Sequence, residues 1–376
     1  MKIADVRTYR LSCDLSEPFA FSQWTYRRRE TLLVSVRTDT GLEGWGEAYG
    51  PTPLTESAVR EFLAPLVRGK DPRDTEALWR LLFARGIDYG SKGILVAGIS
   101  ALDIACWDIK ARAAGQPLYR ALGGEPVEWV PCYATGFYFG GDEPLERKFP
   151  TEAERYLAAG FRAMKMKVGL GVERDAALVR IVREAIGDQV QLMVDANHAY
   201  SPVEAVELGR RIAGLDITWF EEPVSPLDVE GYREVKRNIP IPLAGGECEY
   251  TRFGFEPLFR ARALDYAQPD LCACGGLSEA MKIATLASVY QIHVTPHAWG
   301  SAVGQAAALH FYAARPSHPA SLTPERKLIE CDQTENPLRN NIVKTPIQFQ
   351  EGKWRLPEGP GLGVEVDREA VERYLV

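Results

Sequence analysis

No stretch of this chain approaches the roughly 18 consecutive uncharged apolar residues that a spanning helix needs, so a membrane is not an expected partner. The opening MKIADVRTYRLSCD is charged and lacks a continuous apolar core, which argues against a secretory signal peptide. Long basic runs are missing as well. Lys plus Arg number 44 against 51 Asp plus Glu, a net charge of −7, so nucleic acid is not an expected partner either. The seven cysteines are odd in number and mostly scattered, the pattern of reduced thiols in a cytoplasmic protein. Cys272 and Cys274 form C-x-C, which on a strand would share one face and gives little support to metal or redox work. G-x-S-x-G and H-E-x-x-H are absent, which removes the usual serine and zinc hydrolase signatures. GPGLGV at 359–364 does not open a helix after a strand, as a dinucleotide-binding loop must.

What is present is an ordinary globular composition. Of 376 residues, 46% are hydrophobic, 25% charged and 10% aromatic, enough apolar material for two or three domains. Residues 1–127 are predicted to form an α+β unit: a strand in MKIADVRTYRL, two strands around the turn Asp39-Thr40-Gly41, then helices between 55 and 120. Between them FAFSQWTYRRRE shows no clear period and reads as a long loop. Residues 128–344 alternate short apolar strands with amphipathic helices. Eight strands and seven helices predict an α/β fold of the modified TIM barrel type, (β/α)7β. The tail, 345–376, is expected to return to the first unit, with 349–356 as one more strand.

The chemistry lies at the predicted C-terminal ends of the barrel strands. In order these carry Lys165 and Lys167, Asp195, Glu221, Glu247, Asp270, His297 and Glu330, spaced 23 to 33 residues apart from Lys167 onward, about one βα unit each. A barrel gathers such ends around one mouth. Asp195, Glu221 and Glu247 come from adjacent strands, and three carboxylates held together call for a cation. All-oxygen donors suit Mg²⁺; ion pairs with Lys165 and Lys167 are the competing explanation. The two lysines share one strand face, so one can be neutral and accept a proton. Asp270 can orient His297 as a second acid/base from across the mouth. Glu330, if protonated, can donate to a developing enolate oxygen. Together they suit removal of the proton α to a carboxylate. His198 can line the mouth, His310 is structural in a helix, and His293 and His318 are less informative.

These residues resemble the enolase superfamily, specifically its mandelate racemase subgroup, in the mandelate racemase/muconate lactonizing enzyme family. The matching elements are K-x-K at Lys165 and Lys167, V-D-A-N at Asp195 and Asn197, W-F-E-E-P at Glu221, G-G-E at Glu247, Q-P-D at Asp270, P-H at His297 and I-E at Glu330. Residues 99–124 are similar to a helical signature of the same family. The resemblance implies a capping domain over a (β/α)7β barrel, and Mg²⁺ on Asp195, Glu221 and Glu247. It also implies Lys167 and the Asp270–His297 dyad as opposed acid/base groups, Lys165 beside Lys167, and Glu330 as the electrophilic partner. It implies a homo-oligomer, dimer or octamer, and specificity in two capping loops, here 16–29 and 47–54. Those loops offer Trp24, Tyr26, Arg27, Arg28, Arg29 and Tyr49, and their basic cluster would suit a second carboxylate or a polyhydroxylated acid.

Several segments are similar to the family's sugar-acid enzymes, cycloisomerases of aldarolactones among them. The expected substrate is therefore an acid sugar: an aldarate, an aldonate or a lactone. Three outcomes share the enediolate, namely dehydration, cycloisomerisation, and racemisation between Lys167 and His297. A silent sugar-acid-binding barrel is the alternative outside catalysis, and Lys167 substitution separates it from an enzyme.

Overall fold

A computed structural model of the chain describes residues 1–317 and 328–376; His318, and Lys327 at the expected start of the last barrel strand, lie outside the described residues. Strands β1 (Ile3–Ala20), β2 (Thr25–Thr38) and β3 (Glu43–Ala48) form an antiparallel sheet in that order. Gly41, at φ +87°, turns the β2–β3 hairpin. The long loop expected after residue 16 is instead a two-stranded ribbon. Phe19 pairs with Tyr26 beyond a register shift that follows Asp14. That shift breaks the alternation, which is why no period was visible in the sequence. Ala20 and Phe139 exchange two backbone hydrogen bonds of 2.7 Å, tying the ribbon tip to the barrel.

A helical stretch at 52–67 leads to α1 (Thr75–Gly86) and α2 (Ile94–Ala113), and α2 packs on β3. A Cβ on Gly46 would lie 1.9 Å from the Ala101 carbonyl oxygen, so only glycine lets strand and helix approach this closely.

The barrel follows: β4 (Trp129–Gly136), α3 (Leu145–Ala158), β5 (Ala163–Lys167), α4 (Val172–Ile186), β6 (Gln191–Asp195), α5 (Pro202–Ile212), β7 (Ile217–Glu221), α6 (Val229–Asn238), β8 (Leu243–Gly245), α7 (Thr251–Arg260), β9 (Tyr266–Ala267), α8 (Gly276–Val289), β10 (His293–Val294), α9 (Ala302–Ala314) and β11 (Ile329–Asp332). Strands β4 to β10 pair in sequence order and β11 pairs in parallel with β4. Thr295 Oγ1 donates to the Leu328 carbonyl at 2.8 Å where β10 meets β11, and this closes the ring. The result is the (β/α)7β barrel. Among the described residues no helix is long and apolar enough to cross a membrane. Cys272 and Cys274 sit in the turn after Asp270, both buried, not on a strand.

The tail behaves differently from the expectation. The hairpin β12 (Phe349–Gln350) and β13 (Lys353–Arg355) adds to the N-terminal end of β4, at the floor of the barrel. The last residues, not this hairpin, reach the first sheet: Ser12 N donates to the Tyr374 carbonyl at 2.8 Å and Val376 N to Arg10 at 3.1 Å.

Two buried polar residues lock these parts together. Glu47, on β3, accepts from Thr31 Oγ1 (2.6 Å), Ser301 N (2.8 Å), Ser301 Oγ (2.6 Å) and Gly304 N (2.7 Å). It therefore places a carboxylate at the N-terminus of α9, where the helix dipole favours it. His310, on α9, accepts at Nδ1 from Tyr119 N (3.2 Å) and faces the Leu362 carbonyl with Nε2 (3.0 Å). Only the neutral Nε2–H tautomer satisfies both. Burial, partly offset by the Leu362 contact, pushes its pKa down to about 4. A depressed histidine leaves the unfolded chain binding more protons below its ordinary value, so folding stability falls with pH between about 6.5 and 4. The expected loss is on the order of 3 kcal/mol. Urea melts of wild type and His310→Gln across that range check it; equal pH slopes would exclude His310 as the cause.

Candidate active site

The ends of β5 to β11 point their polar side chains into one buried cluster. Parallel pairing aligns Lys167 with Asp195 and Asp195 with Glu221, so alternation puts Lys165, Lys167, Asp195 and Glu221 on the inward face. One carboxylate oxygen from each of Asp195, Glu221 and Glu247 lies within 4.8 Å of the others. These donors are all hard oxygens, and the set fits a divalent cation of the Mg²⁺ type.

Two ammonium groups face the same carboxylates. Lys167 Nζ donates to Asp195 Oδ2 (2.6 Å) and Asn197 Oδ1 (2.8 Å). Lys165 Nζ donates to Glu221 Oε1 and lies 3.1 Å from Glu330 Oε1 and 3.5 Å from Asp195 Oδ2. Burial opposes charge on both lysines, yet the carboxylates outweigh it, so both pKa values are raised. The expected neutral lysine is therefore not the state of this cluster: Asp195, Glu221 and Glu330 overcome the mutual repulsion of the pair. Burial lifts the Glu221 carboxyl to about 7 despite Lys165, whereas Asp195 is held low by Lys167 and Lys165 against the same burial.

Glu330 also departs from its expected role as a donor. Its Oε1 accepts from Thr135 Oγ1 (2.6 Å) and its Oε2 from Ala298 N (3.0 Å). Burial works against its charge, but Lys165 and His297 pull its pKa well below the carboxylate range. Both oxygens are therefore acceptors, and the proton needed for donation is absent.

Across the mouth, His297 Nδ1 meets Asp270 Oδ2 at 2.6 Å, and Cys272 N donates to Asp270 Oδ1 at 2.6 Å. Nε2 turns inward, 3.6 Å from Glu247 Oε2 and 3.9 Å from Glu330 Oε2. Burial disfavours the imidazolium, but Glu247, Glu330 and Asp270 together raise its pKa to about 10. At neutral pH His297 carries two protons and is poised to give one away.

The capping residues divide sharply. Tyr26, Tyr49 and Asn197 line the pocket. Asn197 Nδ2 donates to Glu247 Oε1 at 3.2 Å, and the Tyr49 ring sits edge-on to His297 with centroids 5.9 Å apart. Trp24 is 65% exposed at the ribbon tip, away from the pocket lining. Arg28 pairs with Asp14 at 3.0 Å on the exposed edge, and Arg27 is also exposed. Tyr26 turns in against Phe19 and Trp299, whereas Arg27 and Arg28 face solvent. Arg29 is buried but turns aside to Asp332 (2.5 Å) and lies over the Trp299 ring at 3.9 Å. The expected basic cluster therefore does not line the pocket. An aromatic wall of Phe21, Tyr26, Tyr138 and Trp299 does. Trp299, two residues after His297, carried a usable signal; Phe21 and Tyr138 carried none until the ribbon was known to fold inward. Below the mouth, Trp219 Nε1 (2.9 Å) and Gln268 Nε2 (2.6 Å) hold Glu221 Oε2, and neither was anticipated.

Comparison with known proteins agrees with this architecture. Residues 3–123 match the mandelate racemase / muconate lactonizing enzyme N-terminal domain and residues 148–370 the enolase C-terminal domain-like family. The chain is 41% identical over 374 residues to D-galactarolactone cycloisomerase of Agrobacterium fabrum, covering 100% of this chain and 99% of that protein. It superposes on the crystal structure of 3,6-anhydro-D-galactonate cycloisomerase from Zobellia galactanivorans with TM-score 0.90 and 40% identity, covering 100% of both chains. A Streptomyces coelicolor racemase crystallised with bound magnesium matches at TM-score 0.89 and 30% identity, again over 100% of both chains. With both domains matched and the strand-end residues gathered in one mouth, the chain belongs to the enolase superfamily, in the mandelate racemase/muconate lactonizing enzyme family, and is an enzyme of the isomerase and lyase kind.

Proposed function

We propose that this enzyme opens the ring of a cyclic sugar acid by β-elimination, with Mg²⁺ on Asp195, Glu221 and Glu247. Held there, Mg²⁺ would supply a Lewis acid for the substrate carboxylate. Lys167 Nζ, once its ammonium has given up a proton, takes the proton from the carbon α to the carboxylate. The ring C–O bond at the β carbon then breaks, and His297 Nε2 gives a proton to the departing oxygen. The enol tautomerises to a 2-keto-3-deoxy acid, an isomer of the substrate. Asp270 keeps His297 oriented, and Lys165 and Glu330 position the charges around Lys167.

The observation that carries this reading is the opposition of Lys167 Nζ and the Asp270-held His297 across the three-carboxylate cluster. His297 lines the same pocket as Lys167 from the opposite side, where a proton donor meets a departing ring oxygen. The pocket also favours substrates with one carboxylate. Among the described residues its lining holds no arginine to meet a second, while the aromatic wall suits the apolar face of a compact ring.

Proton NMR in D₂O with Mg²⁺ tests this. D-galactarolactone and 3,6-anhydro-D-galactonate are expected to give keto-deoxy products, with the open-chain diacid D-galactarate turned over at least about tenfold less efficiently for want of a charge-assisted partner worth 1.5–3 kcal/mol. Deuterium at the α carbon without elimination would instead establish an epimerase. Dehydration of D-galactonate in preference to both rings would make it an open-chain dehydratase.

A further inference from the structure

Behind the carboxylate triad lies a second set of ligating side chains drawn from the same three strand ends. His198 follows Asp195 by three residues, Glu222 follows Glu221, and Cys248 follows Glu247. One ligand atom of each, an imidazole nitrogen, a carboxylate oxygen and a thiol sulfur, lies within 4.8 Å of the other two. Glu222 is fully buried, and its side-chain oxygens meet no N–H or O–H donor, only the neighbouring Cys248 thiol. The His198 imidazole stands nearby with Nε2 3.8 Å from Oε2, beyond hydrogen-bond reach. A buried carboxylate with no N–H or O–H donor is costly, and a cation is one of few groups that relieve it. Cys248 is exposed and His198 partly so, which leaves an entry path.

We propose that His198, Glu222 and Cys248 form a second metal site, selective for a borderline cation of the Zn²⁺ type. One nitrogen, one oxygen and one sulfur match tetrahedral zinc with a fourth position open, whereas Mg²⁺ avoids sulfur. Binding displaces the Cys248 thiol proton to solvent and leaves a thiolate–metal bond, with no change in oxidation state. The site joins the loops after β6, β7 and β8, the strands that carry the triad, so its occupation braces the mouth. It stands apart from the Mg²⁺ site in donor chemistry and does not depend on which substrate is turned over.

Cobalt(II) is the probe, added to the full-length enzyme held in excess Mg²⁺. The expected result is a thiolate-to-cobalt charge-transfer band and one more bound transition-metal ion per chain than in Cys248→Ser, with the band lost in that variant and weakened in His198→Gln. A band absent from wild type, or equal metal content in wild type and Cys248→Ser, overturns the site. Should Cys248→Ser fail to fold by circular dichroism, wild-type protein decides: saturating Zn²⁺ is expected to slow alkylation of Cys248, and an unchanged rate overturns the proposal.

Discussion

His297→Asn is expected to lower ring opening by about 10²- to 10⁴-fold, the usual contribution of a positioned acid or base, while α-proton exchange survives. The two halves of the reaction are separable because they belong to different sides of the mouth. Lys167 lies on β5 with Asp195 and Asn197 around its Nζ, and none of these touches the His297 ring. Asparagine keeps a polar group near Asp270 but cannot deliver a proton from Nε2. In D₂O the variant is expected to incorporate deuterium at the α carbon of a ring-bearing substrate without forming keto-deoxy product. Lys167→Met is expected to lose both exchange and product by a similar factor. The opposite pattern, exchange lost in His297→Asn and retained in Lys167→Met, would make His297 the base and the proposed roles would be reversed.

Much of this site was legible in the sequence because a barrel converts spacing into proximity. Seven polar residues at βα intervals become one ring whatever the loops do, so Asp195, Glu221, Glu247, Asp270 and His297 needed no structure to be grouped. Charge state was less legible. Whether Lys167 or Glu330 carries a proton depends on which carboxylate each meets at 3 Å, and sequence order does not reveal that Lys165 sits between Glu221 and Glu330. The capping residues failed for a different reason. Trp24, Arg28 and Tyr26 are close in sequence and look equivalent there, but Tyr26 packs against Phe19 and Trp299 while Trp24 and Arg28 stay exposed. Across the shift β1 advances from Asp14 to Phe19 while β2 advances only from Arg28 to Tyr26, and hydrophobicity alone does not reveal which side chain gains the inward partner.

Lys165→Met is expected to destabilise the fold by about 3–5 kcal/mol when divalent cations are chelated, because removing one member of a buried ion-pair network leaves its partners uncompensated. Lys165 is 1% exposed and its Nζ is shared by Glu221, Glu330 and Asp195. Methionine fills most of the volume, so lost charge rather than a cavity sets the penalty. The sign of its pH dependence follows. Without the ammonium, Glu221, whose carboxyl burial already lifts to about 7, rises further. A carboxyl raised in the folded state contributes stability below its unfolded value and loses it as pH climbs toward the folded one. The penalty is therefore expected to grow between pH 5 and pH 8. A divalent cation on the triad supplies the missing positive charge, and at 100 times its dissociation constant any native-state ligand adds about 2.7 kcal/mol. Urea melts of the variant with EDTA and with Mg²⁺, at both pH values, test both effects. Equal stability of variant and wild type in EDTA at pH 8 would show that Lys165 does not carry the charge balance of the cluster. A deficit that Mg²⁺ does not reduce would show that Asp195, Glu221 and Glu247 do not share a cation.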